Sequence, residues 1–246
     1  MALPVIKRYE RGYAYTANGN LTAKTIYDPE SHFREDDWTY TYKNHAVTSV
    51  TTGTGTRYMM EYDAMGNMIS QRDYEKNLFK TMIYDSNNRI DEVRDENERI
   101  IGRYDYDDQG FRVRKKARIE TDGAEKEVET LNPSMYFTME IKRNPLGKIK
   151  DSTACGVNNI YLNGVRVAAL TSRGESQYYL TDNVDSVTEV LNDNGQIVTQ
   201  FQYLPFGETW TEEGDKKNSP KYGSQCLDKE TGFIFMNYRS LDPALG

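Results

Sequence analysis

The fold is decided by a six-residue motif that occurs three times at a fixed interval. Residues 62–67 read Tyr-Asp-Ala-Met-Gly-Asn, residues 84–89 read Tyr-Asp-Ser-Asn-Asn-Arg and residues 106–111 read Tyr-Asp-Asp-Gln-Gly-Phe. The tyrosines of successive copies are 22 residues apart in both intervals, and a looser copy, Tyr-Thr-Ala-Asn-Gly-Asn, begins at Tyr15. A fixed period of this length is typical of repeat architectures.

The fifth position of every copy is Gly or Asn, the residues that adopt a positive φ at the lowest cost. This position therefore predicts a tight turn in each repeat. The residues predicted to have a structural role in the repeats are Tyr15, Gly19, Tyr62, Asp63, Gly66, Tyr84, Asp85, Tyr106, Asp107 and Gly110.

Segments of alternating polar and apolar residues flank these turns, as at 57–62 and 68–72. Period-two alternation bounded by turn residues predicts β-hairpins, and 22 residues hold two strands and two turns. Residues 91–101 could form a solvated helix face, but they fall in register with the turns of the other copies. Further hairpins are predicted around Asn163-Gly164 and around residues 192–195.

The predicted fold class is all-β, with consecutive antiparallel hairpins forming a curved or spiralling sheet. We divide the chain into a repeat region at 1–120, an irregular connection at 121–157 and a second hairpin region at 158–246. The connection is predicted from the charges at 125–127 and from Pro133, Pro145 and Gly147, which interrupt regular structure.

Composition excludes several classes of protein. Only 37% of the residues are hydrophobic and 19 are tyrosine, which predicts a thin, aromatic and partly polar core. The net charge of −7 gives no basic footprint for nucleic acid, and no apolar run is long enough for a membrane span. Residues 1–15 lack the apolar stretch of a signal peptide.

The chain offers no convincing metal, phosphate or triad motif, and we predict no metal and no cofactor. Two cysteines, Cys155 and Cys226, do not make a four-ligand site without the distant His32 and His45. Residues 105–110 begin like a calcium loop, but its twelfth position is Lys116 instead of Glu. Residues 53–55 lack the third glycine of a phosphate loop, and neither histidine adjoins a nucleophile motif.

The Tyr-Asp-x-x-Gly units resemble the YD repeats of Rhs proteins, which are relatives of toxin-complex shell subunits and of teneurins. Residues 178–182, 203–208, 227–232 and 238–246 resemble, in the same order, motifs of the Rhs-associated core domain. The resemblance assigns motif positions to Asp182, Pro205, Gly207, Gly232, Arg239, Asp242 and Pro243.

The resemblance implies a β-strip that winds into a hollow shell around a toxic polypeptide at the variable carboxyl end. The expected partners are therefore an enclosed carboxyl-terminal toxin or further shell repeats. A strip this short would expose strand edges, which favour edge-to-edge self-association. The expected location is the outside or the surface of a bacterial cell.

The core domain of that family is an aspartic self-protease, and the resemblance maps its first aspartate to Asp228. Its second aspartate would lie beyond Gly246, and two carboxyls are needed to divide the acid and base roles. Asp242 is a weak substitute because Asp242-Pro243 matches a turn in the family pattern. Lys216 and Lys217 stand where the family often has arginine. Residues 183–186 also depart from its His-Leu-Gly-Ser sequence. We therefore predict no enzyme activity from this chain as it stands.

Two alternatives to a shell segment remain open at this point. One is an autoprotease that needs residues beyond Gly246, and the other is a carbohydrate- or protein-binding surface module. Exposed tyrosines can stack on sugars, but cross-strand aromatic pairs also stabilise sheets by about 0.2–1 kcal/mol each. The structural interpretation of the tyrosines is favoured because a tyrosine can bury its ring and keep its hydroxyl in water.

Overall fold

A computed structural model describes residues 6–121, 124–143, 155–214 and 220–245. These residues contain 21 β-strands and one short 3-10 turn, and no α-helix occurs among them. No helix in this described part has the length and apolar character needed to cross a membrane. The described residues divide into two compact units, 6–100 and 101–245.

The first unit is an antiparallel meander in which each strand pairs with the next along the chain. Its hydrogen bonds therefore join neighbours in sequence, as predicted for consecutive hairpins. The strands are β1 (Glu10–Tyr15), β2 (Leu21–Tyr27), β3 (Arg34–Lys43), β4 (Ala46–Thr52), β5 (Gly55–Tyr62), β6 (Met68–Asp73), β7 (Leu78–Tyr84) and β8 (Ile90–Arg94).

The second unit continues in the same way and ends in a separate three-stranded sheet. The meander strands are β9 (Ile100–Tyr106), β10 (Arg112–Thr121), β11 (Ala124–Ser134), β12 (Phe137–Arg143), β13 (Cys155–Leu162), β14 (Val165–Thr171), β15 (Ser176–Thr181), β16 (Val187–Leu191), β17 (Ile197–Tyr203) and β18 (Thr209–Gly214). After the 3-10 turn Tyr222–Ser224, the small sheet contains β19 (Cys226–Asp228), β20 (Phe233–Phe235) and β21 (Ser240–Leu241).

One type of turn closes the hairpins of the repeats. In the first copy, Oδ1 of Asp63 accepts hydrogen bonds from the amides of Met65 and Asn67, each at 2.9 Å. The Gly66 amide donates to the Asp63 carbonyl at 3.2 Å, so the loop is a type I turn followed by a left-handed residue. The same two side-chain bonds recur at Asp85, Asp95, Asp107, Asp182 and Asn192.

The left-handed position of this turn has a positive φ in each of the predicted repeats. It is filled by Gly19 (84°), Gly66 (88°), Asn88 (59°) and Gly110 (86°), as the sequence predicts. Glu98 occupies the equivalent position after Asp95 with a φ of 59°. A left-handed conformation costs a residue with a Cβ roughly 1–2 kcal/mol. The Asp95 turn forms despite this cost, and because it has Glu98 where the predicted repeats have Gly or Asn, the sequence pattern does not predict it.

The repeat tyrosines lie at equivalent places, since Tyr62, Tyr84 and Tyr106 are the last residues of β5, β7 and β9. Several strand-ending or strand-interior tyrosines point their hydroxyls at a main-chain carbonyl of the preceding strand. These bonds run from Tyr42 to Leu21, from Tyr62 to Val47, from Tyr84 to Met68 and from Tyr203 to Val187, at 2.7 to 2.9 Å. Each hydroxyl thus ties two strands together beyond their ladder, which supports the structural interpretation of the tyrosines.

The core is thin and mixed in character, as the composition predicts. Val50, Val93 and Val187 have no exposed surface, but Gln71 is also almost completely buried. Aromatic and sulfur-containing side chains supply much of the remaining buried surface, namely Trp38, Tyr40, Tyr58, Met60, Met82, Tyr104, Tyr179 and Phe201.

The interval 121–157 is not an irregular connection in its described parts, which corrects the prediction. Strands β11 and β12 cover residues 124–134 and 137–143 and pair in sequence with β10 and β13. Pro133 is accommodated because the β11–β12 register shifts between Leu131 and Ser134, and a bulge needs no ladder hydrogen bond from proline. Pro145 and Gly147 lie outside the described residues.

Replacing Tyr84 by Phe removes the hydroxyl that bonds to Met68 and leaves that carbonyl without this donor. We expect Tyr84→Phe to lower the free energy of unfolding by about 1 kcal/mol, measured by urea denaturation. Tyr15→Phe is the matched control because Tyr15 also ends a strand before a repeat turn but is half exposed. Equal losses in the two variants would contradict a structural role for the Tyr84 hydroxyl.

Protonation of the turn aspartate Asp85 is expected to weaken the fold in acid. Burial opposes ionisation of Asp85, but hydrogen bonds from Arg89 and Asn87 outweigh it and hold the Asp85 pKa below its ordinary value. A carboxylate with a lowered folded pKa stabilises the fold above its unfolded pKa, about 3.9, and loses that effect as the pH falls through the folded pKa.

Asp85→Asn keeps the acceptor that Asn192 supplies naturally in its own turn. We therefore expect the variant to fold and to lose less stability than wild type between about pH 5 and about pH 2. Urea midpoints measured across this pH range provide the comparison. Parallel pH profiles would show that ionised Asp85 contributes nothing.

Candidate functional site

Asp228, the predicted catalytic aspartate, is the last residue of β19 and begins the turn into β20. Its carbonyl accepts hydrogen bonds from the amides of Thr231 (3.1 Å) and Gly232 (2.7 Å). The Thr231 hydroxyl also donates to this carbonyl at 3.3 Å and accepts from the Phe233 amide at 3.1 Å. The motif at 227–232 is therefore a hydrogen-bonded hairpin turn that fixes where the Asp228 side chain points.

The Asp228 carboxylate is buried and bound by two basic side chains of β10. Arg112 donates from Nη1 to Oδ2 at 2.6 Å and from Nη2 to Oδ1 at 2.9 Å, the paired geometry in which guanidinium binds carboxylate most strongly. Lys115 Nζ donates to Oδ1 at 2.9 Å. Both carboxylate oxygens thus face cations.

Glu230 and Tyr104 extend this cluster. Lys115 Nζ lies 3.3 Å from Oε2 of Glu230, so a single ammonium group bridges the two acidic side chains. Oε1 of Glu230 accepts a hydrogen bond from the Tyr104 hydroxyl at 2.9 Å. We call Tyr104, Arg112, Lys115, Asp228 and Glu230 the buried charge cluster.

Aromatic rings shield the guanidinium of the buried charge cluster. The guanidinium carbon of Arg112 lies 4.0 Å from the ring centre of Phe235 and 5.1 Å from that of Tyr104. Tyr106, the third repeat tyrosine, packs against Phe235 with ring centres 6.1 Å apart. The last YD repeat thus touches the small sheet, which places the repeat turn and the cluster together.

The cluster moves the pKa values of its two acids in opposite directions. Burial opposes ionisation of Asp228, but Arg112 and Lys115 outweigh it and hold the Asp228 pKa below its ordinary value. Burial also raises the Glu230 pKa, and here the nearby Lys115 does not outweigh it. Burial alone would lower the Lys115 pKa, but the attraction of Asp228 and Glu230 raises it.

These contacts hold Asp228 as an ionised, fully paired carboxylate. An aspartic protease needs two carboxyls that share one proton, whereas the partners bonded to Asp228 are cations. Asp242 is not among them, because its Oδ1 accepts from the Ala244 amide at 3.0 Å in a local turn. The predicted pairing of Asp228 with a second aspartate stays a prediction.

The sequence identified Asp228 but not the residues that bind it. Neither Arg112 nor Lys115 was among the predicted site residues. Glu230 lay inside a recognised motif without an assigned role. The usable signal is the row of basic residues at 112, 114, 115 and 116 in a chain with an acidic net charge, which implies a buried or partnered acid nearby.

A second group of predicted motif residues surrounds the turn after β17. Gly207 has a φ of 91°, and a Cβ there would lie 2.6 Å from the ring of Tyr222. Tyr222 donates from its hydroxyl to the Pro205 carbonyl at 3.2 Å and packs edge-on against Tyr203. Gly207 is therefore required by close contact as well as by its backbone conformation.

The remaining predicted motif residues are structural and scattered. Asp182 closes the hairpin between β15 and β16 with the amides of Val184 and Ser186. Pro243 lies within the Asp242 turn, and Arg239 is exposed and accepts from the Met236 amide through its carbonyl. The structure does not bring these residues to the buried charge cluster, and among the described residues no acidic, histidine and cysteine group could hold a metal ion.

Residues 160–246 match the family model described as Teneurin YD-shell. Over these residues the chain is similar to that family. Its fold matches the crystal structure of TcdB2-TccC3-Cdc42 with a TM-score of 0.65 at 13% identity, covering 98% of this chain and 14% of that one. The Tc holotoxin pore of Photorhabdus luminescens with the TccC3-D651A mutation gives 0.58 at 12% identity, covering 96% and 16%.

One curated protein is also similar in sequence to this chain. Salivary gland surface protein 1 of Aedes aegypti is 21% identical over 226 residues, which cover 87% of this chain and 6% of that protein. The chain thus spans a small part of the proteins it matches. The comparisons confirm the predicted Rhs and YD-repeat resemblance, and the solved structures confirm the fold.

Removing the charge of Asp228 should strongly destabilise the second unit, because Arg112 would keep a buried charge without its partner. We expect Asp228→Asn to cost about 3–5 kcal/mol of unfolding free energy, measured by urea denaturation. The matched control is Asp105→Asn, since Asp105 is an exposed partner of Arg114 at 3.5 Å and should cost less than about 1 kcal/mol. Similar small losses in both variants would contradict the structural role of Asp228.

Proposed function

We propose that this chain forms part of the wall of a shell that encloses a polypeptide cargo. The observation that carries the proposal is the succession of paired hairpins within each unit, several of which are closed by the same Asp or Asn turn. A sheet built from neighbours in sequence can be lengthened by adding repeats without changing the existing ones. Such a wall suits enclosure, because its extent is set by the number of repeats.

The cargo that fits this proposal is a toxic polypeptide, and the site of action is outside the producing cell. One matched structure is named as a Tc holotoxin pore with a TccC3 mutation, and TccC3 also occurs in the matched TcdB2-TccC3 structure. Further shell repeats in a longer chain would complete the enclosure. Edge-to-edge pairing with another strip is the alternative way to satisfy exposed strand edges.

The contacts of Asp228 support a structural role within this segment over a catalytic one. Both of its oxygens are occupied by Arg112 and Lys115, so neither is directed at a main-chain carbonyl that might be cleaved. The buried charge cluster joins the small sheet to β10 through charge pairs that few other arrangements of these strands would satisfy. The role that we propose for this cluster is therefore the correct docking of the small sheet.

The test uses the full-length protein that contains this segment, with a protease-sensitive reporter domain replacing the carboxyl-terminal cargo. We expect the reporter to survive proteinase K at least about tenfold longer than the same reporter fused at the amino end. Digestion is followed by gel and by loss of reporter signal. Equal digestion rates at the two positions would overturn the proposal.

A further inference from the structure

The second unit contains a cavity of about 500 Å³ that the shell function does not use. It lies between one face of the meander, from β10 to β15, and the small-sheet residues 226–230. Ligand cavities in proteins commonly have volumes of about 300–1,000 Å³. The cavity is therefore large enough for a few residues of extended polypeptide.

The charge of the cavity is opposite to that of the chain. Three acidic side chains line it, Glu140, Glu175 and Glu230, within a protein whose net charge is −7. Twice as many basic side chains line it, namely Arg112, Lys115, Lys142, Arg166, Arg173 and Lys229. Even when the adjacent Asp228 is included, cations outnumber anions by six to four, so the cavity favours an anionic occupant.

Pairing within the protein locates the surplus of positive charge. Arg112 and Lys115 are neutralised by Asp228 and Glu230 in the buried charge cluster. Lys142 lies 3.3 Å from Glu140. Arg166 of β14 also lines the cavity, and its guanidinium forms no ion pair with an acidic side chain of the described residues.

Arg166 carries the strongest sign of a missing partner. Its Nη2 donates to the Tyr179 hydroxyl at 3.3 Å, but its Nε is buried and has no hydrogen-bond partner. Buried polar atoms in native proteins are almost always paired. A guanidinium presents its donors in a fixed fork that matches a carboxylate, and Arg166 lines the cavity, so this side chain is suited to bind an incoming carboxylate.

The uncharged part of the lining is mixed, with polar side chains such as Thr130 and Gln177 beside an apolar group. Ala117 and Val128 are directly paired across β10 and β11, and Val157 of β13 and Leu227 of β19 also line the cavity. A small inorganic ion would leave this surface without contact. An acidic segment with apolar neighbours would use both parts of the cavity.

We propose that this cavity binds an acidic polypeptide segment, with a carboxylate on Arg166 and adjoining apolar side chains against β10, β11 and β13. Lys229 is exposed at the cavity and adds attraction for further acidic residues. The inference depends on the cavity alone and would hold even if the shell enclosed no cargo.

The test measures binding of fluorescein-labelled octapeptides to the whole 246-residue chain by fluorescence anisotropy. One peptide alternates Asp with Val, and the matched peptide alternates Asn with Val. We expect the acidic peptide to bind at least about tenfold more tightly, and Arg166→Gln to remove that preference. Lys229→Gln should weaken acidic-peptide binding by about threefold, because its charge is solvent-exposed.

Lys43→Gln is the control variant, because Lys43 is an exposed lysine of the first unit; its affinity should equal that of wild type. Lys229→Gln keeps the test decisive if Arg166→Gln fails to fold. Inorganic phosphate and succinate serve as competitors, and only high concentrations of either should displace the peptide. Equal binding of the two peptides, unchanged affinity in Lys229→Gln, or phosphate binding as tight as peptide binding would each overturn the proposal.

Discussion

The turn aspartate accepts hydrogen bonds from the amides two and four residues later, and these bonds set the geometry of the repeat hairpins. They fix the loop length, and the loop length fixes the register of the two strands it joins. Register then decides which side chains of β5, β7 and β9 share a face. Only with that register does the hydroxyl of a tyrosine such as Tyr84 meet a carbonyl of the preceding strand. The hydrogen bonds of the turns therefore set the strand register, because the core of the sheet is too thin to set it alone.

The parts of the fold that could be predicted are those marked by turn residues. Gly66, Asn88 and Gly110 reveal their hairpins because few other residues adopt positive φ cheaply. The turn at Asp95 carries Glu98 in that position, so its side-chain hydrogen bonds form without a compositional signal. Strands β11 and β12 were not predicted because charged residues lie within them. Glu125, for example, pairs with Arg118 at 3.5 Å, but a cluster of charges is also typical of a loop.

The candidate site shows a different limit. Asp228 could be identified from a local motif, whereas Arg112 is 116 positions away and its basic neighbours also suit an ordinary solvated strand. Their pairing is created by the docking of the small sheet, a long-range event without periodicity in sequence. A buried ion pair contributes more to specifying one arrangement than to net stability, because desolvation offsets much of its attraction. Asp228 therefore has a reason to be present that does not require catalysis.

The buried charge cluster and the cavity of the second unit are coupled through the docking of the small sheet. The small sheet supplies Asp228 and Glu230 to the buried charge cluster, and the adjoining residues 226–230 form one side of the cavity opposite Arg166. In the buried charge cluster, the donors of Arg112 match the acceptors of Asp228. In the cavity, by contrast, Nε of Arg166 has no acceptor. A segment bound in the cavity would favour the docked small sheet, since any ligand stabilises the state that binds it. Conversely, loss of the Asp228 charge would loosen one wall of the cavity. The Asp228 carboxylate thus positions the small sheet and, through it, one wall of the cavity.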